Sequence, residues 1–286
     1  MKRFIRDVLF TMLFIALADY LYGAFVKNNY SVKYAYITHH SNAIKTLVMG
    51  NSLAETGFNT SILGDSAWCF AISGRTLNYD SELLKCLLPT MQNLRTIILP
   101  LHYNLHASVL LYPNLEDRKF HIYYNYRYFH VPVNAFPDGW LYRSALLSNQ
   151  LHRKNNGEVS FDKHGNMLVD KYYDGSVQDY NPPHQMNVDK GVEYLTIMAK
   201  TCAEYGIRFI VITPPFPDTW LKGCTEEGIK NLTMIADSVN QLFPLEYKSY
   251  LQDSTFRNDS LYSNWNHLNK YGATLFARQV KEDFGL

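Results

Sequence analysis

The chain has 286 residues, 47% of them hydrophobic, enough for one α/β domain with a full core. Lys and Arg total 27 against 26 for Asp and Glu, which excludes the strongly basic surface that captures nucleic acid through its phosphates. The 4 cysteines, Cys69, Cys86, Cys202 and Cys224, lack the CxxC or Cys/His spacing of a metal site, so neither a metal nor another cofactor is expected. In an exported chain they could form one or two disulfides, of open connectivity.

Lys2, Arg3 and Arg6 precede an apolar run from Val8 to Val26 that Asp19 interrupts. This order predicts export, with residues 1–27 as a membrane-spanning signal anchor and the remainder on the periplasmic or outer side. A signal peptide cleaved after Ala16-Leu17-Ala18 and an amphipathic first helix of a soluble protein are the alternatives. Residues 28–43 read as a polar linker, and a domain is expected from residue 44 to residue 286.

Ile44 to Met49 is a short apolar strand of the kind buried on both faces of a parallel sheet, and it runs into Gly50-Asn51-Ser52-Leu53. Further strands are expected at Ala67 to Ile72, Thr96 to Leu101, Ile207 to Thr213 and Pro244 to Tyr247. Helices are expected at Asp80 to Leu88, Val188 to Tyr205, Glu226 to Leu242 and in the amphipathic C-terminal segment. Between them, about residues 106–183 break into aromatic clusters with turn signals at Asn156-Gly157, His164-Gly165 and Asp174-Gly175, which predicts an irregular, substrate-specific insertion. The alternation of strands and helices implies a three-layer α/β/α sandwich around a mostly parallel sheet, flavodoxin-like in plan.

A serine between a buried strand and the next helix presents its hydroxyl at the carboxyl end of the sheet, with its N–H free at the helix start. Ser52 is so placed, although Asn51 or Ser52 could equally be an ordinary helix cap. Near the other end stand Asn264-Trp265-Asn266-His267-Leu268-Asn269 and Gly272-Ala273. Together, strand-Gly-Asn-Ser-Leu and His-Leu-Asn-x-x-Gly-Ala resemble the first and last sequence blocks of the SGNH, or GDSL-like, hydrolase superfamily, from about Ile44 to Phe284 with a divergent middle.

That resemblance implies Ser52 as the nucleophile of an acyl-enzyme and His267 as its base. It implies Gly74, at the end of the second strand, as an oxyanion donor beside the Ser52 N–H, or else a glycine that a turn alone requires. Asn104, after His102 and Tyr103, is the candidate for a third oxyanion donor, although the family's Gly-x-Asn-Asp is not reproduced. The orienting acid three residues before the histidine is replaced by Asn264, so the site resembles a Ser-His dyad unless Asp253 or Asp259 supplies a carboxylate.

Within the superfamily, an exported N-terminus before a divergent domain resembles the D-alanyl transfer and alginate-type acetylation proteins. This implies O-acyl transfer to a cell-envelope or exported polysaccharide, with a membrane-bound O-acyltransferase as partner. A free-standing carbohydrate O-acyl esterase and a glycan-binding pseudoenzyme are the other expectations. Tyr123 to Phe129, Tyr126 in particular, and Trp140 are candidates for a sugar-facing wall, with core packing as the competing reading.

Overall fold

The computed structural model describes residues 1–25, 28–101, 115–137, 139–142, 161–174 and 188–286. Five parallel strands form one sheet: β1 (Thr46–Val48), β2 (Ala67–Cys69), β3 (Thr96–Pro100), β4 (Arg208–Thr213) and β5 (Glu246–Ser249). Their order, β2-β1-β3-β4-β5, is the flavodoxin-like one, in which the direction of winding reverses between β1 and β3. The first four strands lie within the predicted apolar runs and are largely buried because both faces are covered, whereas β5 begins two residues later than expected and is mostly exposed.

Alternation along each strand divides the core. Leu47, Trp68, Phe70, Ile97, Leu99, Phe209 and Val211 point to one side, while Val48, Cys69, Ala71, Ile98, Ile210 and Ile212 point to the other. The first side is covered by α2 (Asn29–His40), α4 (Leu77–Leu87), α5 (Leu115–Phe129), α6 (Val188–Glu204) and α8 (Glu226–Asn240). The second is covered by the C-terminal α9 (Lys270–Phe284), whose Phe276 meets Phe58, Tyr250 and Phe256 edge-on. Two short helices complete the domain, α3 (Ser52–Glu55) and α7 (Asp218–Leu221).

Three expectations are corrected here. The stretch read as a linker is mostly α2, capped by a reciprocal Asn28–Ser31 box, with Tyr30, Lys33 and Ile37 buried along one face. Its polar composition hid a helical i, i+3, i+7 stripe because one member of that stripe is a lysine.

The insertion is not irregular throughout, since α5 lies within it and packs on α2 and α4. Tyr123 and Tyr124 are therefore core residues rather than part of a sugar-facing wall; Tyr124 stacks on Tyr30 at 5.6 Å.

The third correction concerns sulfur. All four cysteines are free, and Cys69 faces the opposite side of the sheet from Cys86, Cys202 and Cys224, so it cannot reach them.

The basic N-terminal stretch does form a helix, α1 (Lys2–Phe25). Its described apolar side chains are exposed, Phe4 at 73% and Phe10 at 72%. Among the described residues, no helix is both long and apolar enough to cross a membrane, so the expected membrane-spanning anchor is not supported.

Candidate active site

The site lies at the carboxyl end of the sheet beside the reversal point, where open α/β sheets leave a crevice. The chain leaves β1 through Gly50, whose φ of +114° is one that residues with a side chain rarely adopt. A Cβ there would also stand 3.0 Å from Pro100 Cδ at the end of β3. Gly50 C=O accepts from Ile72 N–H at 3.0 Å, tying the turn to the end of β2. On the other side Asp80 is held by Arg75 at 2.7 Å and by the Gly50 N–H; burial pushes its carboxyl upward, and these two contacts oppose that shift.

Asn51 then caps α3 through its side-chain oxygen, which accepts from Leu53 N–H at 3.0 Å. Ser52, the first residue of α3, is thus released from capping and turned toward the crevice.

The histidine arrives from the opposite end of the chain. Tyr262 and Leu268 form an antiparallel bridge, and His267 C=O accepts from Ser263 N–H at 2.8 Å, so residues 263–267 form a tight, braced loop. Asn269 caps α9 by accepting from Tyr271 and Gly272 N–H, both at 3.0 Å, while its amide donates to Ser260 and Tyr262 C=O. The glycine two residues into α9 is a matter of close approach, because a Cβ on Gly272 would lie 2.1 Å from Leu261 C=O. The Leu-Asn-x-x-Gly part of the motif is therefore scaffold, and its product is the position of the imidazole.

That imidazole lies 2.8 Å from Ser52 Oγ through Nε2 and 3.1 Å from Asn264 Oδ1 through Nδ1. The same Oδ1 accepts from Asn266 N–H at 3.0 Å and His267 N–H at 2.9 Å, which identifies it as the oxygen of the amide. Nδ1 must then carry the proton, leaving Nε2 as the acceptor facing the serine hydroxyl. Burial drives the His267 pKa down to about 4, against an upward pull from the Glu55 carboxylate, so the ring is neutral at pH 7 and able to take a proton.

Around this pair the other candidates divide. Ser52 and Gly74 N–H make no hydrogen bond among the described residues, and Ser73, next to Gly74, is bound to Glu55 of α3, the helix that Ser52 opens. Two backbone donors are thus left unspent among the described residues, one at the start of α3 and one on the turn after β2. Asn104 falls at residues outside those described. Asp253 accepts from Thr255 N–H, Asp259 opens a short 3-10 turn, and it is Asn264 that meets Nδ1, so neither carboxylate completes a triad. Tyr126 packs on Tyr142 and is 43% exposed, and Trp140 is 71% exposed; no contact among the described residues brings either to the Ser52–His267 pair.

Residues to which the sequence reading gave no role are Lys33, Glu55 and Ser73. Glu55 could have been noticed as a carboxylate three residues after the serine, on the same helical turn. Lys33 carried no such signal, since only the fold brings α2 to this end of the sheet.

No family model and no curated protein matches the chain. Solved structures with a similar backbone include a proposed platelet activating factor from Streptococcus pneumonia, at 12% identity and a TM-score of 0.47, covering 94% of this chain and 98% of that one. A GDSL-like lipase from Bacteroides thetaiotaomicron is 11% identical with a TM-score of 0.45, covering 88% and 97% of the two chains. A psychrotrophic esterase from Pseudoalteromonas is 12% identical with a TM-score of 0.40, covering 84% and 96%.

Proposed function

We propose that the protein is a serine acyl-transferring enzyme of the SGNH type that works through an acyl-enzyme on Ser52. The observation that carries this reading is the Ser52 Oγ to His267 Nε2 contact of 2.8 Å, with Nδ1 held by Asn264. In the first half-reaction Ser52 Oγ attacks the acyl carbon and its proton passes to Nε2. The carbonyl oxygen takes up negative charge between the Ser52 and Gly74 N–H groups, each such donor being worth about 3 kcal/mol. Collapse breaks the bond to the leaving oxygen, which receives the proton from Nε2. An acceptor hydroxyl then reverses these steps, and the serine is regenerated.

The finer reading is O-acyl transfer to an exported or cell-envelope polysaccharide, with a membrane-bound O-acyltransferase supplying acyl groups. What supports it is the row of exposed apolar side chains on α1 beside Lys2, Arg3 and Arg6, which suits a segment held at a membrane surface. Hydrolysis is the second reading, favoured by the partial exposure of Ser52 and His267, which admits water to the acyl-enzyme.

One experiment addresses both. p-Nitrophenyl acetate should give a burst of nitrophenolate and an acetyl adduct on Ser52 visible by mass spectrometry, and Ser52→Ala should lose at least about 10³-fold of the rate. Activity persisting in Ser52→Ala would overturn the proposal. Addition of an O-deacetylated oligosaccharide should divert acetyl from water to sugar if transfer is the function; unchanged partitioning would favour the esterase.

A further inference from the structure

The carboxylate of Glu55 is fully buried beside the site, and nothing in the acyl-transfer chemistry above consumes it. Its Oε2 accepts from both the N–H of Ser73, at 2.8 Å, and the Ser73 hydroxyl, at 2.5 Å. Its Oε1 has no hydrogen-bond donor among the described residues but lies 3.3 Å from Lys33 Nζ, another wholly buried group. Lys33 in turn donates to the carbonyls of Cys69, Ala71 and Gly165, the first at 3.3 Å and the last at 3.1 Å. Glu55 C=O accepts from Met167 N–H at 2.9 Å. One ion pair therefore joins the nucleophile's helix, the exit of β2, the helix α2 and the segment 161–174.

A buried ion pair is a poor device for stability alone, since desolvating two charges offsets most of their attraction and well-packed apolar residues do as well. Its advantage is directional: a carboxylate accepting two bonds from one residue sets that residue's position within tenths of an ångström. Here the residue is Ser73, whose carbonyl carbon is bonded to the Gly74 nitrogen. We infer that Glu55 is a positioning residue, clamping the Ser73–Gly74 peptide to the turn that carries Ser52 so that both N–H donors meet one oxyanion, with Lys33 balancing its charge. This rests on the acyl-enzyme reading of Ser52.

The test uses the full-length protein with p-nitrophenyl acetate, and a fluorophosphonate probe to count competent Ser52 sites, so that kcat is expressed per labelled site. Glu55→Ala should lower kcat per site by about 10²-fold with KM within about twofold, as expected when a transition-state donor is misplaced. Combining Glu55→Gln with Lys33→Met keeps an acceptor for Ser73 and removes both charges; it should recover to within about tenfold of the native kcat. Where Glu55→Ala does not fold, Ser73→Ala tests the same link, with about a tenfold fall in kcat expected at unchanged KM and thermal midpoint. Unchanged kcat per site in Glu55→Ala or in folded Ser73→Ala overturns the positioning role while leaving the acyl-enzyme intact. A native protein with no Ser52-dependent burst overturns both.

Discussion

In the proposed acyl transfer His267 would act as a weak base. With burial holding its pKa at about 4 and an amide rather than a carboxylate on Nδ1, it stays neutral in mild acid but accepts a proton with little driving force. The acid limb of kcat/KM should therefore fall near pH 4 rather than near 6.5, where an ordinary imidazole titrates. A pH–rate profile with its acid limb at 6.5 would overturn this account. The sign for stability follows: the unfolded chain binds the proton more readily, so the neutral buried ring's contribution is complete above about pH 6.5 and is lost as pH falls toward 4. Among the described residues, the side-chain hydrogen bonds of Asn264 are all accepted by Oδ1, so a carboxylate can occupy the same place. Asn264→Asp should move the acid limb upward and raise kcat/KM by about tenfold or more at pH 7; steady-state kinetics of the variant across pH 4 to 8 would check both.

At the scale of elements, the site is held by what the backbone must do between β1 and α3. Gly50 has a φ of +114° and Pro100 against its Cα hydrogens, so Gly50→Ala meets strain and a clash at once. A loss of about 1–3 kcal/mol is expected, read as a lower urea midpoint, and near-native stability would show that the turn can relax. Both motifs and most strands were legible because short continuous apolar runs and cap residues are local signals. The helix α2 was not, for a physical reason: Lys33 is buried there only because Glu55 and three carbonyls, all distant in sequence, receive it. The tyrosines of α5 misled in the opposite direction, since an aromatic cluster can face either sugar or core and only the neighbouring Tyr30 and Phe120 decide.

For the whole molecule, α1 and α2 have opposite roles despite being consecutive. The described apolar side chains of α1 are exposed, whereas α2 places Tyr30, Lys33 and Ile37 in the core. Deleting residues 1–25 should therefore leave the thermal midpoint within about 2 °C and, on the membrane-held reading proposed above, move the protein from the membrane to the soluble fraction. Deleting residues 1–40 should cost several kcal/mol, because it strands Glu55 as an uncompensated buried charge. Melting curves and fractionation of the two truncations would test this; a truncation at residue 25 that destabilised the domain would give α1 a packing role.

The amino-acid sequence by itself determined the alternation of strands and helices, the turn that presents Ser52 and the loop that carries His267, since each depends on residues within a few positions of one another. Only the tertiary structure decided which groups stand around them. It set the imidazole against Ser52 and Asn264, left Asp253 and Asp259 aside, kept the cysteines apart on two faces of the sheet, and joined Glu55 to Lys33 and Ser73. Those relations depend on strand order and helix packing, through which residues remote in the chain come within hydrogen-bonding distance.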